Sequence, residues 1–354
     1  MSLAQDLELL EDQLNVERRK VDVATHNFSV RELVRMIAEK ELNVAPDYQR
    51  MFRWTPEAES TFVESVFLGL PIPPIFVATN VGFQWEVVDG LQRLSTLVHF
   101  LSVNKAELAV IARSAPLPLT GLEKLNQLNG LTHEQLPRNL QVYFGRQPLQ
   151  VVSLTDKSDL QVRFDVFARL NRGSMRLSAQ EVRACVYQGK FNDLVSELAA
   201  FEPFTKMLKL KKVNQSDGTT AEQVVKFFAY KNYRDSFDGK IEHWLNKYME
   251  SVKKNPFNYS KESAAFQDAV KKLAEILGDR QFLRTGHSLT PLVQFETALV
   301  AIADLQADGV KIIQPADDWL SDEEFREASG AGSNARTMLT RRITRAKALL
   351  SGTV

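Results

Sequence analysis

Apolar residues recur at helical spacing over most of this chain and gather at strand-like density in only three short stretches. Ser29 and Glu32 form a capping box, Phe28 can staple onto Leu33, and Leu33, Val34, Ile37 and Ala38 share a face, so a helix is predicted over about 29–40. Thr55 and Pro56 start a second helix as N-cap and first residue; Phe62, Val63, Val66, Phe67 and Leu70 form its buried side, and it ends at Gly69 before the rigid PIPP. PPIFVAT and FQWEVV then read as a hairpin around Asn80-Val81-Gly82. Its second strand runs into the turn Asp89-Gly90 and a helix carrying Leu91, Leu94, Leu97 and Val98. Pro, Asn and Gly scattered through 104–147 allow only short helices and loops, and LQVVSL at 149–154 is the third strand.

Ser158 and Gln161 are placed to cap a helix with Phe164, Phe167 and Leu170, ending at Asn171-Arg172-Gly173, and Ser178 with Glu181 repeats the capping box. From 190 onward no strand is predicted. Helices are expected over 220–233, 240–252, 260–277, 291–305, 322–329 and 335–350, with the period clearest in Ile241, Trp244, Leu245, Tyr248, Met249 and Val252. The plan is therefore α+β: a peripheral helix or mobile arm over 1–24, a mixed α/β domain over 25–189, and an all-helical domain over 190–354.

Composition narrows the chemistry. Forty-four basic residues balance forty-four acidic ones, so no global charge demands nucleic acid or an anionic membrane. The lone Cys185 excludes an intramolecular disulfide framework and reads as a buried structural thiol. No apolar run approaches a membrane span and no signal-peptide core is seen at the N-terminus, so a cytoplasmic protein is expected. GxxxxGK[ST] is absent, and the five histidines form neither HExxH nor a short His/Cys pair, which argues against a P-loop and a zinc site.

The strand–turn–helix junction at Asp89 is where an anion would dock. Backbone N–H groups at a helix start lack intrahelical partners, and the helix dipole is positive there. Asp89 and Gln92 also fit a capping box on their own, with Asp89 as N-cap, and that reading stands beside the functional one.

PDYQRMFRW, the helix ending in LGLPIPPIF, VVDGLQRLSTL, FARLN and LSAQEVR occur in that order, and over about Ser29–Gly189 they resemble the N-terminal domain of GmrSD-type modification-dependent restriction proteins. The resemblance implies a ParB/sulfiredoxin-like fold, a place in bacterial anti-phage systems, and nucleoside-triphosphate binding, with hydrolysis in some members, centred on a DGQQR motif. Leu91 stands where the family has its first glutamine, while Asp89, Gly90, Gln92 and Arg93 are kept. Within that frame Asp89, Gln92 and Arg93 are the catalytic candidates, and Tyr48, Gln49, Arg50, Gly90, Ser95, Thr96 and Asn171 the nucleotide-binding ones. Arg50 and Arg93 suit phosphate oxygens, Asp89 suits Mg²⁺ or an attacking water, and the amides of Gln49 and Gln92 could position base or water. Trp54, Tyr48 and Phe52 read as packing rather than base stacking, and Arg50 and Arg53 could instead pair with Glu57 or Glu59.

Full-length relatives append an HNH nuclease; IEHW at 241–244 is read as an amphipathic helix face instead, so no nuclease half is expected. The leading expectation is a Mg²⁺-dependent NTPase whose helical domain couples nucleotide state to a protein partner. A DNA-binding or DNA-cleaving effector is the alternative, through a basic strip of Arg341, Arg342 and Arg345 on a last helix that docks by Leu339, Ile343, Ala346 and Leu350. A non-catalytic nucleotide-sensing adaptor is the third.

Overall fold

A computed structural model of the chain describes residues 10, 12–16, 18, 22–44, 54–79, 82–155, 158, 160–170, 178–215, 217–278 and 280–353. The chain divides into two compact units, 1–177 and 178–354. Unit 1 holds β1 (Val23–Ser29), α1 (Val30–Ala38), β2 (Leu42–Asn43), α2 (Pro56–Phe67), β3 (Ile75–Thr79), β4 (Trp85–Asp89), α3 (Leu91–Leu101), α4 (Lys105–Val110), α5 (Arg138–Gly145), β5 (Pro148–Leu154) and α6 (Leu160–Leu170). Unit 2 holds α7 (Ala179–Val186), α8 (Lys190–Ala199), α9 (Glu202–Met207), α10 (Thr219–Asn232), α11 (Ile241–Lys254), α12 (Tyr259–Leu277), α13 (Leu292–Ala307), α14 (Glu323–Ala328) and α15 (Arg336–Ser351). The α+β plan holds: strands lie in unit 1, and the described residues of unit 2 carry helices and 3₁₀ turns.

The sheet of unit 1 has the order β1-β5-β3-β4-β2. β3 and β4 form the expected antiparallel hairpin, Val77 opposite Val87 and Thr79 opposite Trp85. β5 lies parallel to β3, with Ile75 beside Val151, and β1 closes that side antiparallel to β5 from Val23/Leu154 to Ser29/Pro148. The core gathers Val30 and Leu33 of α1, Val63 and Val66 of α2, Ile75 and Val77 of β3, Val87 of β4, Leu94 and Leu97 of α3, and Phe144 of α5.

Several local signals form as read. Thr55 accepts from the Ala58 N–H with Pro56 next to it, and Ser178 and Glu181 make both bonds of their capping box, while of the Ser29–Glu32 box only the bond from the Glu32 N–H to Ser29 is seen and the Glu32 carboxylate takes Arg35. Others do not. β1 falls partly in the stretch read as a helix or arm; only Ala24, His26 and Phe28 face inward, too weak an alternation to register as a strand. α8 and α9 lie outside the predicted helices, although Phe191, Leu194, Val195 and Leu198 repeat at helical spacing and are buried. Ser158 also bonds the Asp22 backbone, accepting from its N–H and donating to its carbonyl.

The last helix corrects a larger expectation. Leu339, Ile343, Ala346 and Leu350 are buried as expected, but the arginines do not form an open strip. Arg342 is fully buried. Arg341 pairs with Glu324 and Glu327 at 3.0 and 3.3 Å, Arg345 grips Asp322 at 2.6 Å, and Lys347 reaches Asp308 at 3.0 Å. Acids on α14 and the loops before it thus answer the basic face. Asp322 also caps α14, and chiefly the Arg345 guanidinium holds its carboxyl below the usual range. The stability from that pair is present above the ordinary aspartate pKa and is lost as pH falls through the depressed folded value.

Arg342 belongs to a buried ionic network. Glu296 lies 3.5 Å from Arg342 and 3.3 Å from Lys226, which also meets Glu222 at 3.1 Å. Glu222 takes Arg183 at 3.2 Å, and the Arg183 Nε donates to Asn246 Oδ1 at 3.0 Å. Burial alone would lower the Lys226 pKa; Glu296 and Glu222 outweigh it, so the net shift is upward. Five helices, α7, α10, α11, α13 and α15, meet in this network. Glu296→Ala leaves the buried Arg342 without its carboxylate and Lys226 with one carboxylate fewer, and is expected to cost about 3–5 kcal/mol, whereas Arg341→Ala, at an exposed pair, should cost far less; urea unfolding of the two variants checks the contrast.

Candidate functional site

The Asp89 junction is built by a bulge, a glycine and an arginine. Asp89 lies opposite Phe76 while Val87 lies opposite Val77, so β4 spends one extra residue, Val88, just before the turn. Such a bulge re-aims the side chain that follows it, and Asp89 emerges with half its side chain in solvent. Gly90 then takes φ +106°, and a Cβ there would lie 3.1 Å from Ile75. Only glycine enters this turn without strain and without pushing into the core.

Gly90, not Asp89, is the N-cap of α3, and no side chain caps that helix start. The capping-box reading of Asp89 and Gln92 is therefore corrected: the positive φ at Gly90 places the helix start one residue later, and Asp89 turns to Arg93. The Arg93 guanidinium donates to Asp89 Oδ2 at 2.8 Å, to the Pro74 carbonyl at 3.3 Å, and to the Pro73 carbonyl. Burial of the guanidinium lowers its pKa, with Asp89 opposing that shift. One side chain thus ties the head of α3 to the PIPP segment and fixes the exposed carboxylate of Asp89.

Gln92 is buried, and its Oε1 accepts the Trp54 backbone N–H at 3.0 Å, fastening the segment before α2 to α3. The Trp54 ring packs edge-on against Phe62, centroids 5.7 Å apart, in keeping with a packing role. Ser95 and Thr96 are also buried, and the Thr96 hydroxyl donates back to the Gln92 carbonyl at 2.8 Å. Neither presents surface to a ligand, so they are part of the helix packing. Tyr48, Gln49, Arg50 and Asn171, with Phe52 and Arg53, lie outside the described residues.

Glu59 has partners on other elements of unit 1. It is fully buried, with Oε2 2.6 Å from His99 Nδ1 and Oε1 3.9 Å from Arg113. His99 Nε2 in turn faces the Ala115 carbonyl at 3.1 Å. This cluster locks α2 onto the far end of α3, and no short-range motif announces it, because Glu59 and His99 are forty residues apart.

Among the described residues no group of three or more His, Cys, Asp or Glu side chains could hold a metal ion. What the junction can offer a cation is the solvent-facing part of one carboxylate, Asp89. That suits Mg²⁺, which commonly takes one or two carboxylates and completes its shell with water and phosphate oxygens. No helix among the described residues is long and apolar enough to cross a membrane.

No curated protein matches the chain. Residues 30–188, a little under half of the chain and including the whole Asp89 junction, match the family model of the GmrSD restriction endonuclease N-terminal domain, and this stretch is a domain of that restriction-type defence family.

Proposed function

We propose that unit 1 binds a nucleoside triphosphate at the Asp89–Arg93 junction and hydrolyses it with Mg²⁺, serving a restriction-type defence system. The observation that carries this reading is a carboxylate fixed at the surface by Arg93, beside a helix start that no side chain caps. The positive end of the helix dipole favours a phosphate there, and Asp89 stands where it can hold Mg²⁺ or orient water. Arg93 acts through Asp89 in this arrangement, since the Pro73 and Pro74 carbonyls share its donors. Gln92 likewise acts by position, holding Trp54 in place. Tyr48, Gln49, Arg50 and Asn171 remain the proposed contacts to the rest of the nucleotide.

Asp89→Asn keeps the shape of the junction and is expected to lose Mg²⁺-dependent phosphate release from the four ribonucleoside triphosphates, at a stability cost of about 1 kcal/mol or less. Normal release by this variant would place the chemistry elsewhere. Gly90→Ala should destabilise unit 1 by about 1–3 kcal/mol through backbone strain, with thermal unfolding as the measurement.

A second reading, contact with DNA, has an observation of its own. Since the arginines of α15 are answered internally, the better surface lies on α5, where Arg138 and Arg146 line one open depression with the exposed Tyr143. The Arg31 guanidinium lies against Gly145 of the same helix. None of the three arginines has a carboxylate within ion-pair distance among the described residues. Charge and an exposed aromatic ring on one face suit a phosphate backbone. Arg138→Ala with Arg146→Ala should weaken retention of duplex DNA at ~50 mM salt and flatten its salt dependence, while Arg341→Ala leaves both unchanged. Wild-type protein that fails to retain DNA at that salt would remove this reading.

A further inference from the structure

Unit 2 contains a cavity of about 460 Å³ between the end of α12, the loop that follows it, and the segment before α14. Its size falls within the range of about 300–1,000 Å³ typical of small-molecule sites. Ile276, Leu277, Leu283 and the buried Trp319 and Leu320 contribute apolar wall. Among the described residues the polar wall carries Arg280, Arg284 and His287 with one carboxylate, Asp317.

The two arginines are not equally satisfied. Arg280 Nε donates to the Leu277 carbonyl at 2.9 Å, and its guanidinium lies 3.8 Å from Asp317, a loose and mostly exposed pair. Gln314 is held by the Ile276 carbonyl at 2.9 Å. Arg284 has no carboxylate or other acceptor among the described residues, and its Nε is buried without a hydrogen bond. A buried donor left unpaired is unfavourable, and a guanidinium has five donors in a planar fork matched to phosphate oxygens. Four other buried or partly buried cations of unit 2, Arg183, Lys226, Arg342 and Arg345, all have partners at 2.6 to 3.5 Å. The larger cavity nearby, lined by Glu202, Lys206, Lys271 and Glu275, mixes both charges and makes no such demand.

We propose that this cavity is a second ligand site, which takes the phosphate group of a small molecule on Arg284, with Arg280 and His287 at its rim and the apolar wall receiving the remainder. The site is independent of the Asp89 junction and does not rest on the function proposed for it.

Calorimetric titration of the full chain without Mg²⁺, using adenosine 5′-monophosphate, inorganic phosphate and adenosine in turn, tests the assignment. The monophosphate is expected to bind, and Arg284→Gln to weaken it at least tenfold while the far-ultraviolet spectrum and unfolding temperature stay near wild type. His287→Ala, at an exposed position, should weaken binding to a smaller extent and guards against a folding defect in the first variant. Tighter binding of the monophosphate than of free phosphate supports a nucleotide-like ligand, and equal binding supports free phosphate in the same pocket. The proposal is overturned if neither binds at millimolar concentration, if adenosine binds as well as its monophosphate, or if Arg284→Gln binds like wild type.

Discussion

A guanidinium withdrawn from water has to be answered by acceptors, and in each unit of this chain that requirement decides what neighbouring elements do. In unit 1 the answer to Arg93 comes from the PIPP carbonyls and from Asp89, which joins β3, β4 and α3 at one point. In unit 2 Glu296 answers Arg342 and Glu222 answers Arg183, with Lys226 between the two acids. Apolar burial supplies most of the stability, as in any domain, but these charges fix which helices may be neighbours. A helix shifted by one turn would keep most of its apolar cover and lose its counter-ion.

The same requirement separates arginines that serve the fold from those that remain for a ligand. Arg341, Arg342 and Arg345 look alike in sequence, and all three are spoken for. Arg93 is a mixed case: its donors are shared with the protein, yet one of them holds the half-exposed Asp89 carboxylate. Arg138 and Arg146 on α5 line an open depression, and Arg284 in unit 2 keeps a buried Nε without a hydrogen bond among the described residues.

What could be read in the sequence was what neighbouring residues decide among themselves. Thr55-Pro56 and Ser178 with Glu181 are complete within four residues and formed, and Ser29 caps its helix although Glu32 turns to Arg35. The hairpin before Asp89 and the apolar face of α15 are of the same kind. The sequence left Asp89 open as a cap because its residue type fits either partner, and the choice is made by the backbone angle of Gly90. The partners of Arg341 and Arg345 lie 14 to 23 residues upstream, and Glu59 sits 40 residues from His99, distances at which a pattern says nothing. For the Asp89 junction, position was therefore legible, while the division between fixed and free groups was not.

The pairing of β1 with β5 bears on how unit 1 reaches its structure. The strand at 23–29 has its ladder partner only at 148–154, and β3 also gains its second neighbour there. Loop-closure entropy must be overcome before either pairing yields any gain, so the sheet is the slow part of the unit. On the ribosome the β3–β4 hairpin emerges well before β5 does. Until residue 154 is free, Ile75 to Thr79 present an apolar strand with one open edge, and the nascent chain is most exposed to wrong pairing during that interval.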